Sequence, residues 1–187
     1  AAVLTKGTTT IHNPALEPEV MDLIDVLVKM GAKISGIGTK VLTIEGVDEL
    51  HGTTHNIVAD RIEAATFAVA AALTKGKIFL KGAKTNLMDA VIDALKPSNV
   101  LFKEEKDGVL VDGTKTSLKA TSLITSEYPG FPTDAQAPIM AMLLKSCGTS
   151  VMVENMFESR FKHVDELIRM GGSIQVRSNF GKGSRFE

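Results

Sequence analysis

The stretch Tyr128-Pro129-Gly130-Phe131-Pro132-Thr133-Asp134-Ala135-Gln136 places a carboxylate in the first turn of a helix, directly behind a proline-fixed turn. Two prolines bracket an aromatic residue and fix φ, which forces an exposed turn. The unpaired N–H groups of the following helix start favour a negative charge there. In that position Asp134 can accept a proton or a hydrogen bond from a substrate hydroxyl. The same position suits an Asp that is only an N-terminal helix residue or a cap together with Thr133, and the pattern leaves the structural and the chemical roles open.

A second connection of the same kind reads Glu154-Asn155-Met156-Phe157-Glu158-Ser159-Arg160-Phe161. Phe157, just before a helix, can be a packing staple or a platform for a ligand, and Arg160 can be a surface charge or a cation turned to the same place. Both connections follow strands of one structural unit, where open α/β sheets gather ligands at the carboxyl ends of their strands. Other segments carry less chemistry. Gly36-Ile37-Gly38-Thr39-Lys40 lacks the third glycine and the following helix of a dinucleotide loop, so turn formation accounts for it. Asp60-Arg61-Ile62-Glu63 opens a helix with two acids and one base, either as a capped first turn or as a hinge ion pair. Cys147 ends an apolar helix and precedes Gly148, with no cationic partner or adjacent base apparent, and reads as a buried structural thiol.

The elements that must position these residues repeat along the chain. Ala1-Ala2-Val3-Leu4-Thr5-Lys6-Gly7 is nearly copied by Ala70-Ala71-Ala72-Leu73-Thr74-Lys75-Gly76. Gly7, Gly76 and Gly148 open successive units at nearly equal intervals, and the helix-ending residues Gly31, Asn99 and Gly171 keep the same phase. Each unit has one apolar helical stripe: Val20, Leu23, Ile24, Leu27 and Val28; Leu87, Val91, Ile92 and Leu95; Phe161, Val164, Leu167 and Ile168. The second unit reads as a strand near 56–59, a helix over 60–74, a strand over 77–81, a helix over 86–96 and a hairpin of 100–104 with 109–112 around Asp107-Gly108. The third follows with strands at 122–126, 149–154 and 173–177 and helices at 133–146 and 160–170. Its closing hairpin strand is expected to be missing. The first unit keeps only the end of its first helix, so the sequence reads as cut at both ends. A hinge or an ordinary loop fits the polar segment 47–55 equally well.

Composition limits the partners. The chain has 187 residues, 44% hydrophobic, with 21 basic and 22 acidic side chains, enough apolar content for a real core and no basic block to attract a nucleic-acid backbone. Its longest apolar run, 64–73, is far shorter than the roughly 18 to 20 residues of a bilayer span, so no membrane contact is expected. One Cys and four His without ligand spacing predict a reducing cytoplasm, no disulfide and no metal or other cofactor.

Together these residues resemble the UDP-N-acetylglucosamine enolpyruvyl transferase family (UDP-N-acetylglucosamine 1-carboxyvinyltransferases). The resemblance covers nearly the whole chain. It rests on Glu17-Pro18-Glu19-Val20 with Lys29-Met30-Gly31-Ala32, on Asp60-Arg61-Ile62-Glu63, on Phe131-Pro132-Thr133-Asp134 with Gln136, and on Phe157-Glu158, Arg160-Phe161, His163 and Glu166 to Gly171. It implies an inside-out α/β barrel of repeated β-α-β-α-β-β units, with residues 1–58 as the end of the first domain and 59–187 as about two units of the second.

It implies transfer of the enolpyruvyl group of phosphoenolpyruvate to the 3-hydroxyl of UDP-N-acetylglucosamine, with release of phosphate, in peptidoglycan and cell wall synthesis and hence in cell shape and division. Asp134 would be the base. Met156, Phe157 and Arg160 would line the nucleotide-sugar site, and Glu19, Asp60 and Arg61 are candidates for the hinge or cleft rim. Ser159, Ala135, Ala65 and Ala59 depart from the family's usual Asn, Met, Gly and Pro. The family's Lys-Asn pair, its reactive-Cys loop and its later Arg residues have no match here, so the chain is expected to need the missing segments for activity. A non-catalytic sugar-nucleotide-binding module of the same fold and a 3-phosphoshikimate enolpyruvyl transferase are the alternatives.

Overall fold

The computed structural model describes residues 1–178 and 184–186. The chain forms two compact units, Ala1–Val58 and Ala59–Glu187.

In the first unit a short 3-10 turn, Ala2–Leu4, leads into β1 (Thr8–His12), α1 (Pro18–Lys29), β2 (Lys33–Ser35) and β3 (Val41–Glu45). Helix α1 begins on Pro18, where a residue without an N–H costs the helix nothing, and Gly31 turns the chain out of it with φ +102°. β3 is the central strand, antiparallel to β1 and β2. Val3, Ile24, Ala32, Leu42 and Ile44 form its small core. His55 returns to α1, its Nε2 3.0 Å from Asp22 Oδ1.

The second unit opens with α2 (Arg61–Thr74), β4 (Lys77–Lys81), α3 (Asp89–Leu95), β5 (Leu101–Glu105) and β6 (Gly108–Asp112). The strand order β4-β6-β5 repeats the arrangement of the first unit, with the last strand of the hairpin in the middle. A third pass adds β7 (Leu123–Ile124), α4 (Gln136–Leu143), β8 (Met152–Glu154), α5 (His163–Arg169), β9 (Val176–Ser178) and β10 (Ser184–Phe186). Here β8-β10-β9 again has the last strand in the middle, and β7 joins β8 in parallel. The repeat seen in sequence is therefore a repeat of topology.

Asp60 caps α2: its Oδ1 accepts the N–H groups of Ile62 at 2.8 Å and Glu63 at 3.0 Å. The capped first turn expected of this segment is therefore present. α2 is rich in alanine because it is hemmed in by both the sheet and α4. Ala65, Ala68 and Ala72 are 1%, 0% and 1% exposed. At Gly113, after β6, a Cβ would overlap the Ala71 carbonyl oxygen, so only glycine lets the sheet come this close to the helix. Val109 and Val111 of β6, Leu95 of α3, and Ile139, Met140 and Met142 of α4 complete the buried core.

Three expectations change. Residues 56–59 form no strand; the boundary between the units falls within this segment and it has no ladder partner. The third unit does have a closing strand, β10, paired with both β8 and β9, although residues 179–183, which lead into it, lie outside the described residues. Cys147 is exposed rather than buried, because α4 ends at Leu143 and the Cys sits beyond it, its backbone bridged to Lys119.

Candidate active site

Two connections carry the site, one after β7 and one after β8. The first is a tight loop. Ser126 N–H donates to the Phe131 carbonyl at 3.1 Å and Gly130 N–H to the Glu127 carbonyl at 2.8 Å. A Cβ at Gly130 would overlap the Ser126 hydroxyl, which would have to rotate away, and would lie 3.0 Å from the Glu127 carbonyl oxygen. Phe131 is buried and anchors the loop, and Pro132 then starts a 3-10 turn, Thr133–Ala135, that runs into α4. Asp134 projects from this turn with its side chain 57% exposed. Neither the turn nor α4 has a side-chain N-cap bond, so Asp134 is not the helix cap that the pattern also permitted.

The carboxylate is instead paired across the gap between the two loops. Arg160 Nη2 donates to Asp134 Oδ1, and the Arg160 guanidinium carbon lies 5.4 Å from the centre of the Phe157 ring. Phe157 is exposed, so its free face and the remaining carboxylate oxygen meet solvent in the same place. The combination is an apolar platform, a cation and a hydrogen-bond acceptor within one small surface, suited to a sugar hydroxyl. Between Phe157 and Arg160, Ser159 takes a left-handed conformation, φ +56°, to turn the chain.

Beneath this surface lies a residue to which sequence reasoning gave no role. Glu154, at the end of β8, is 1% exposed. Its Oε1 accepts from the Thr125 hydroxyl at 2.8 Å and from the N–H groups of Met156 at 2.8 Å and Phe157 at 3.2 Å. Its Oε2 accepts from the Thr133 hydroxyl and Gln136 Nε2, both at 2.7 Å. Burial opposes its charge, but the bonds from Thr133, Met156, Thr125 and Phe157 outweigh it and hold the carboxyl below its ordinary range. The available signal was an acidic residue ending an apolar strand. Below the surface on the α5 side, His163 Nε2 lies 3.2 Å from the Met140 sulfur, and burial, followed by the charge of Arg160, lowers its pKa.

The structure thus brings together Asp134, Phe157 and Arg160, with Met156 half-buried beside them and tied to Glu154 through its N–H. Arg61 stands over the Tyr128 ring at 5.5 Å and, with Asn86, Pro129 and Pro132, lines a separate small pocket that Asp134 does not line. Glu19 lies in the first turn of α1, in the other compact unit. Among the described residues no cluster of His, Cys, Asp or Glu could hold a metal ion, and no helix is long and apolar enough to cross a membrane.

Residues 1–185 match the model of the family described as EPSP synthase (3-phosphoshikimate 1-carboxyvinyltransferase). A UDP-N-acetylglucosamine 1-carboxyvinyltransferase of Novosphingobium aromaticivorans is 50% identical over 179 residues, 95% of this chain and 41% of that protein. One from Vibrio campbellii is 46% identical over 179 residues, 96% of this chain and 42% of that protein. The chain thus spans about two fifths of the length of these curated relatives. Among solved structures, the enolpyruvyl transferase NikO from Streptomyces tendae aligns with 100% of this chain and 44% of its own, at a TM-score of 0.82 and 23% identity. An EPSP synthase from Acinetobacter baumannii aligns with 100% of this chain and 43% of its own, at a TM-score of 0.66 and 17% identity. The fold is therefore that of the enolpyruvyl transferases.

Proposed function

Since the chain belongs to the EPSP synthase (3-phosphoshikimate 1-carboxyvinyltransferase) family, we propose that it supplies the acceptor-sugar side of an active site. That site transfers the enolpyruvyl group of phosphoenolpyruvate to the 3-hydroxyl of UDP-N-acetylglucosamine. The observation that carries this reading is the pairing of Asp134 with Arg160 beside the Phe157 ring, in a chain 50% identical to a protein named for that reaction.

In the reaction the sugar hydroxyl adds to the central carbon of phosphoenolpyruvate while the methylene carbon gains a proton. The resulting adduct then loses that proton and phosphate. Asp134 takes the hydroxyl proton through the carboxylate oxygen that Arg160 leaves open. Arg160 fixes the direction of the carboxylate, and Phe157 and Met156 offer the apolar contact for the sugar nucleotide. Residues 1–58 are read as the end of one domain and 59–187 as about two repeat units of the other, a reading supported by the unit boundary after Val58. The product would serve peptidoglycan synthesis in the cytoplasm, and through it cell wall biogenesis, cell shape and division.

The test is a chimera in which this chain replaces the matching region of the Novosphingobium relative. Phosphate release dependent on both phosphoenolpyruvate and UDP-N-acetylglucosamine is the expected result. Release with shikimate 3-phosphate instead would reassign the acceptor. A chimera that binds the sugar nucleotide without turnover would point to a non-catalytic binding module.

A further inference from the structure

We propose that Glu154 is a positioning residue, a buried latch that holds the Asp134 loop and the Phe157–Arg160 loop at the separation catalysis needs. The proposal rests on the reading of Asp134 as the base. Its ground is the distribution of donors: Thr125 follows β7, Thr133 and Gln136 flank Asp134, and Met156 and Phe157 begin the second loop. One carboxylate therefore joins three segments, and the two loops among them also meet at the surface through the exposed Arg160–Asp134 pair. An exposed ion pair holds geometry weakly, whereas a buried carboxylate meeting five donors leaves every donor orphaned if it is removed. Thr125 tightens the joint further, since its hydroxyl accepts the Asn155 N–H at 3.0 Å.

The chemistry explains why the residue is a carboxylate. All five partners donate, so a group with only acceptors is needed, and Glu supplies two acceptor oxygens on a stem long enough to reach both loops. An amide in its place would face Thr133 and Gln136 with donors. That conflict is partly relieved if the Gln136 amide rotates, because Gln136 Oε1 is buried without a partner and would then accept.

The experiment measures kcat and sugar-nucleotide affinity in the chimera for Glu154→Gln and Glu154→Ala, each alone and combined with Asp134→Asn. With Asp134 intact, Glu154→Ala should lower kcat about 100-fold and Glu154→Gln about 10-fold, the loss falling on kcat rather than on affinity. In the Asp134→Asn background the same changes should cost less than about twofold, because the geometry they disturb no longer serves a base. Equal losses in both backgrounds, or none with Asp134 intact, would overturn the proposal. The Gln variant keeps the test open if the Ala variant fails to fold. If Asp134→Asn alone turns over normally, the base reading fails, and the latch is judged by amide exchange at Met156 and Phe157 in Glu154→Gln: faster exchange supports it and unchanged exchange refutes it.

Discussion

Arg160 reaches across from the loop after β8 to hydrogen-bond Asp134 on the loop after β7, so one oxygen of the carboxylate is occupied and the other is open. This pair separates catalysis from stability. Both side chains are largely exposed, and exposed pairs contribute at most about 1 kcal/mol to folding. Asp134→Asn should therefore change unfolding free energy by less than about 1 kcal/mol while lowering kcat of the chimera roughly 100-fold or more. Denaturation and steady-state kinetics on the same variant decide it, and near-normal kcat would remove Asp134 from the mechanism.

Arg160 should not be replaceable by lysine. A guanidinium can stack on Phe157 and hydrogen-bond Asp134 at once, whereas an ammonium is a point charge that keeps only the second contact. Arg160→Ala is expected to lower kcat/KM about 10-fold or more, with Arg160→Lys recovering only part of it. Full recovery by lysine would show that the contact with the ring is idle.

Ser159 offers a stabilising change. Its φ of +56° is a conformation that Asn tolerates and Gly adopts freely, whereas Ser is strained in it. Ser159→Gly and Ser159→Asn should each raise stability by up to about 1 kcal/mol in urea titrations of the chain, without weakening sugar-nucleotide binding. A loss of stability in both would mean that the Ser side chain is held by bonds stronger than the strain.

Stability should decline toward acid in two stages. His163 is held below its ordinary 6.5, so the unfolded chain takes up that proton first and stability falls as pH drops from about 6.5 toward the folded value. Glu154 is held below its ordinary 4.5, so its contribution is complete above about pH 4.5 and is lost as pH falls through the folded value. Unfolding free energies measured from pH 7 to pH 3 should show both stages. His163→Gln should flatten the upper one and Glu154→Gln the lower one. A profile unchanged by both substitutions would contradict the assignment.

The isolated chain, matching 41% of the length of the Novosphingobium relative, should release no phosphate from phosphoenolpyruvate when UDP-N-acetylglucosamine is present. Release that depends on both substrates and on purified chain would show that the described residues suffice.

Much of this was legible in the residues themselves. Strand β4 matches the expected 77–81 because its ends are marked by turn residues, and Asp60 announced the start of α2 because capping is a local event. The repeat was legible because each unit restates the same turn, stripe and hairpin. Cys147 misled because an apolar run says nothing about where a helix stops, and α4 ended earlier than the run did. Glu154 was missed for a deeper reason. Its side-chain donors lie 29, 21 and 18 residues away, and only the parallel pairing of β7 with β8 brings them to one carboxylate.

The alanine face of α2 has a consequence for how this protein can drift. Ala65, Ala68 and Ala72 act as methyl-thick spacers, and α2 packs on α4 and on the 3-10 turn that carries Asp134. A bulkier residue on that face cannot be absorbed locally in so tightly filled an interior, and the displaced neighbour is the turn that carries Asp134. Lineages should accept there only residues as small as glycine, alanine or serine, so that an unremarkable stretch of apolar helix would be constrained by the placement of a carboxylate on the neighbouring turn.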